Sequence, residues 1–178
     1  MSLFGNREKA TKIIDVVFMN KAAKYNASLE LAKKDSSTIF IAWFEETFQE
    51  LQTFLKEQVN TSKIFLYRQV ATHLIENRKL IFAEHYPLHQ KEISFFESLK
   101  IKEATVYSSL DEPLFTTFGG EKISALMRSM GMQENEPIQH SLITKALKNA
   151  QEKIEKKITI EQSSLSQSDW FKRNVRDQ

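Results

Sequence analysis

Four short runs constrain what this chain can fold into. Residues 38–44 (TIFIAWF), 63–67 (KIFLY), 79–84 (KLIFAE) and 104–108 (ATVYS) are rich in β-branched and aromatic side chains. The first is apolar almost throughout, the pattern of a strand buried on both faces of a parallel sheet. Helix-length segments separate the runs. Residues 45–58 carry Phe48, Leu51 and Leu55 along one side, with Glu45 and Glu46 in the first turn, where acids complement the helix dipole. A short helix is expected at 69–77, and Pro87 opens another containing Ile93, Phe96 and Leu99. Strands alternating with helices imply right-handed βαβ crossovers, hence a three-layer α/β fold with a mostly parallel sheet of about four or more strands. Ahead of them, residues 8–34 read as one long helix with Ala10, Ile13, Ile14, Val17, Ala22, Tyr25 and Leu29 on one side.

Composition narrows the function classes. With 25 Lys+Arg against 23 Asp+Glu, the net charge of +2 gives a weak field and no basic block, so no nucleic-acid partner is expected. The absence of cysteine excludes disulfides, a thiol nucleophile and thiolate metal sites. No apolar run is long enough to span a membrane, and the start MSLFGNREKA lacks a signal-peptide core, so a cytoplasmic protein is the expectation.

The segment 105–155 holds three of the four glycines and two of the three prolines. Within it, Ile123, Leu126, Met127 and Met130 fall at helical spacing, and Gly131 follows as a stop because glycine tolerates the left-handed backbone past a helix end. A second helix is expected to start between Asn135 and Ser141, with Pro137 in its first turn. Its apolar stripe is Leu142/Ile143, Ala146/Leu147, Ala150, Ile154 and Ile158. At the end of the chain, Trp170 and Phe171 beside Lys172, Arg173 and Arg176 are either a docking peptide or a terminal helix that folds its aromatics onto the body.

The pieces YSSLDEPLFTTFGGEKI, LMRSMGM and ENEPIQHSLITKALKNAQEKIE, in that order, resemble the SecA preprotein translocase motor family. They correspond to the end of its second nucleotide-binding domain and the entry into its long scaffold helix. More faintly, residues 37–56 resemble the opening βα unit of the same domain. The resemblance implies a RecA-like, P-loop NTPase type domain over residues 1–132 and a C-terminal helical extension over 133–178. It also implies a link to protein export, with a translocase component or a full-length SecA as partner.

Catalysis is not expected. An NTPase of this fold needs a glycine-rich loop around the phosphates, yet the chain has no G-x-x-x-x-G-K-[ST] and no glycine between Gly5 and Gly119. The family's arginine finger and Gly/Arg-rich motif would follow the third run, but residues 85–102 contain neither arginine nor glycine. The expectation is a non-catalytic relative, a pseudoenzyme without cofactor. Two other constellations stand beside it. His85 and His89 are four apart, but Pro87 between them places a helix start there, so ordinary histidines rather than a metal site are expected. Open α/β sheets bind ligands beyond the carboxyl ends of their strands, where this chain carries Trp43, Tyr67, Glu84, His85 and Tyr86. These either line a pocket for a small flat molecule or cap the core.

Overall fold

The computed structural model describes residues 10–60 and 63–175. Glu8 of the expected first helix and Arg176 lie outside them. The order is β1 (Lys12–Phe18), α1 (Lys21–Lys34), β2 (Thr38–Ala42), α2 (Glu45–Leu55), β3 (Ile64–Leu66), α3 (Thr72–Ile75), β4 (Lys79–Phe82), α4 (His89–Ser98), β5 (Glu103–Ser109), α5 (Pro113–Thr116), α6 (Gly120–Ser129), α7 (Ser141–Glu155) and α8 (Gln167–Asn174). The five strands form one parallel sheet in the order β1-β5-β4-β2-β3. This is the three-layer RecA-like α/β architecture.

The long N-terminal helix is corrected to a strand, a turn and a helix. In KIIDVVF the β-branched residues favour extended backbone. Asp15 interrupts the apolar run and leaves Ile13, Ile14 and Val17 at a spacing that mimics a helix. Asn20 then starts α1, its side chain accepting from the Ala23 N–H at 2.8 Å.

Alternation along each strand builds two cores. Phe40, Ile64 and Ile81 face α1 and α2, where they meet Tyr25, Leu29, Leu51 and Leu55. Ile39, Ile41, Phe82 and Val106 face the opposite layer, where Phe96 of α4, Leu147 and Ile154 of α7, and Trp170 of α8 belong to the same cluster. The terminal aromatics therefore fold onto the body. Helix α7 starts at Ser141, and Pro137 stands outside it, because the preceding Ile138 is extended. Ile138 bridges antiparallel to Val17 through N–H···O bonds of 2.7 and 3.0 Å, which satisfies the free edge of β1 at that one position.

Candidate functional site

The crossover from β2 to β3 carries α2 on one face of the sheet, and that from β4 to β5 carries α4 on the other. The carboxyl ends of β2 and β4 therefore flank the point where ligands bind in open α/β sheets. Of the five residues expected there, Trp43, Tyr67 and Tyr86 line a crevice of about 320 Å³. Glu84 and His85 turn into the protein instead.

Glu84 sits beneath the N-terminus of α2. It accepts from the backbone N–H groups of Trp43 and Phe44 at 3.2 and 3.1 Å, and from the Thr47 hydroxyl at 2.7 Å. Burial pushes its carboxyl up to about 7, against the nearby Lys24 charge and these hydrogen bonds. Glu46 of the same first turn donates its N–H to the Leu165 carbonyl at 3.0 Å. The anion-attracting start of α2 is thus occupied by the chain itself.

His85 lies between two buried carboxylates, Nε2 being 2.9 Å from Asp15 and Nδ1 3.0 Å from Glu92. With an acceptor at each ring nitrogen, the imidazole is held as the doubly protonated cation. Burial pulls it down, but the Glu92 and Asp15 carboxylates override that and raise it to about 10. Asp15 responds in kind: burial raises it, yet the hydrogen bond and charge of His85 leave it below its ordinary value. Glu92 also accepts from Tyr86 N at 2.8 Å and from Gln151 Nε2 of α7 at 2.9 Å. Gln167 of α8 donates to the His85 carbonyl at 3.0 Å. The cluster is a clasp joining β1, α4, α7 and α8 to the sheet. His89 only opens α4, so the two histidines do not share a helix face, and the described residues contain no cluster suited to a metal ion.

A second buried pair was equally invisible in sequence. Lys24 of α1 donates to Glu112 at 2.6 Å and to the Ala83 carbonyl at 2.7 Å, and Glu112 also accepts from Ser109 N at 3.0 Å. Its partners lie 59 and 88 residues away, so no local pattern announces them.

The opposite kind of surface lies between α6 and α7. Leu126, Met130 and Leu142 are 55, 70 and 67% exposed. With Phe118, Met127, Met132 and Ala146 they line an apolar groove of about 620 Å³. Its geometry is set by glycines. Gly119 takes φ +91° at the start of α6, and a Cβ on Gly120 would stand 2.5 Å from the Leu110 carbonyl. Gly131 is left-handed as expected (φ +82°), and Met132 N–H bonds back to Met127 O at 3.2 Å, so the chain reverses tightly after α6.

No family model matches the chain. A stretch of 49 residues, 28% of the chain, is 49% identical to the protein translocase subunit SecA of Desulforapulum autotrophicum and of Legionella pneumophila (strain Corby), and 51% identical over the same length to that of Syntrophobacter fumaroxidans. The stretch has the length of the run 107–155 that carries the resemblance. It spans only 6% of each of these relatives. The chain thus contains a SecA-like stretch, similar to a short piece of a much longer protein. No helix among the described residues is long and apolar enough to cross a membrane.

Proposed function

We propose that this chain is a non-catalytic, SecA-like protein-interaction module that acts beside protein translocation. Its contact surface is the α6–α7 groove, and its partner is a full-length SecA. The observation that carries the reading is an exposed, contiguous apolar groove built from the residues that resemble SecA. Elements that neighbour this stretch in a full-length SecA can meet the same apolar pattern here. The absence of catalysis is supported by the missing phosphate loop and by the way Glu84 and Leu165 already occupy the start of α2.

The test is a binding titration between the purified chain and purified SecA from the same organism, with ATP turnover of the chain alone measured in parallel. A saturable complex and no turnover above background are expected. No complex, or turnover that disappears on substituting residues of this chain, would overturn the proposal.

A further inference from the structure

Among the described residues, all the sulfur that this chain shows to solvent lies in one place. The sequence has five methionines and no cysteine, and Met1 lies outside the described residues. Met19, which follows β1, is 2% exposed, whereas Met130 is 70% exposed and Met127 and Met132 are half-buried. These three line the α6–α7 groove, Met127 on the last turn of α6, Met130 at its cap and Met132 just past the Gly131 stop. A flexible thioether suits a surface that must fit an apolar partner, and it is also the group that an oxidant attacks there.

With no thiol to react first, a two-electron oxidant such as hydrogen peroxide meets the exposed thioethers. The sulfur lone pair takes one peroxide oxygen. An S–O bond forms, the O–O bond breaks, and a proton passes between the fragments so that water leaves; the sulfur is oxidised by two electrons and the peroxide is reduced. The sulfoxide oxygen is a polar acceptor where the parent side chain was apolar. At Met130 that oxygen meets water, so the fold bears little of the cost, but a partner seated in the groove would have to bury it. We propose that the groove is a reversible oxidation site: peroxide converts Met130 first, then Met127 and Met132, to sulfoxides, which leaves the chain folded and closes the groove to apolar partners. The consequence for SecA rests on the groove being its contact surface; the modification itself does not.

The purified chain is treated with hydrogen peroxide, and each methionine is followed by peptide mass spectrometry. Trypsin cuts after Lys21, Arg128 and Lys145, so Met19, Met127 and the Met130/Met132 pair fall on separate peptides, and fragmentation resolves the pair. Met130 is expected to oxidise at least about tenfold faster than Met19, since susceptibility follows exposure. The oxidised chain should still unfold cooperatively. It should bind SecA, and the apolar fluorescent probe anilinonaphthalene sulfonate, at least about tenfold more weakly than the untreated chain, a buried unpaired S=O costing that much. A methionine sulfoxide reductase with its thiol reductant should restore both. In a variant combining Met127→Leu, Met130→Leu and Met132→Leu, peroxide should no longer change binding, whatever the starting affinity. If the untreated chain does not bind SecA, the contact reading fails and the probe still decides this one. Equal oxidation of Met19 and Met130, loss of cooperative unfolding, or undiminished affinity of the oxidised chain for the probe or for SecA would each overturn the proposal. So would binding that still falls with peroxide in the leucine variant.

Discussion

The carboxyl end of the sheet and the α6–α7 hairpin invert the usual placement of side chains, and they do so in opposite senses. At the sheet end, Asp15, Lys24, Glu84, His85, Glu92 and Glu112 are buried charged or titratable groups. On the hairpin, Leu126, Met130 and Leu142 stand in water. Buried charge is costly unless paired, and here the pairing is nearly complete, through contacts that tie α1, α4, α7 and α8 to the sheet. That chemistry is spent on holding the fold. The hairpin leaves its apolar stripe uncovered, so it is the region with free energy still to be gained from a partner.

This contrast is broken most severely at His85. Replacing it with Ala leaves Asp15 and Glu92 as uncompensated buried carboxylates, and a loss of about 3–5 kcal/mol is expected in urea unfolding. Lys24→Met should follow, at about 2–4 kcal/mol, because Glu112 and the Ala83 carbonyl lose their cation while the methionine fills most of the volume. A loss below 1 kcal/mol at either position, on the scale of a surface pair, would mean that these charges do not carry the fold.

The same residues set the pH dependence. Glu84 titrates near 7 in the folded chain against an ordinary 4.5, so between those values the folded state holds a proton that the unfolded state has released. Its contribution is full below 4.5 and is lost as pH rises through about 7. His85 acts in the same direction, contributing fully below 6.5 and fading as pH rises through about 10. Asp15 acts oppositely, present above 3.8 and lost as pH falls through its lowered value. Stability should therefore fall by roughly 1–3 kcal/mol as pH rises from mildly acidic to just above neutral, and Glu84→Gln should flatten that limb. A denaturation midpoint that climbs over this range, or an unchanged slope in the variant, would contradict the buried state of Glu84.

Much of the sheet was legible because β2 to β4 are apolar runs that need no knowledge of their neighbours. β1 was not, since Asp15 makes sense inside a strand only once His85, 70 residues away, is beside it. The crevice was half legible for a related reason. Position at a strand end identifies Trp43, Tyr67 and Tyr86, but whether Glu84 and His85 point outward or inward depends on Thr47, Glu92 and Asp15 lying beneath them. The α6 stripe was readable as periodicity. Periodicity says which side is apolar and nothing of what covers it, so the exposure of Leu126 and Met130 came only from the fold.

That exposure defines the gentlest change to stability and the sharpest one to function. Leu126→Glu combined with Met130→Glu places two charges where the side chains already meet water, so stability should stay within about 0.5 kcal/mol of the parent chain. Binding to SecA should nevertheless fall at least about tenfold, because the partner would have to bury a carboxylate in an apolar groove. Ile143→Ala on the inner side of α7 is the matched control. Ile143 lines the inner wall of the groove, and its truncation should lower the unfolding free energy by about 2–3 kcal/mol while leaving the charge pattern of the surface unchanged. If the two glutamates destabilise the chain as much as Ile143→Ala does, the stripe is covered by the protein's own residues in solution. If they leave both stability and SecA binding intact, the groove is not the contact surface, and the division between a finished sheet end and an unfinished hairpin fails.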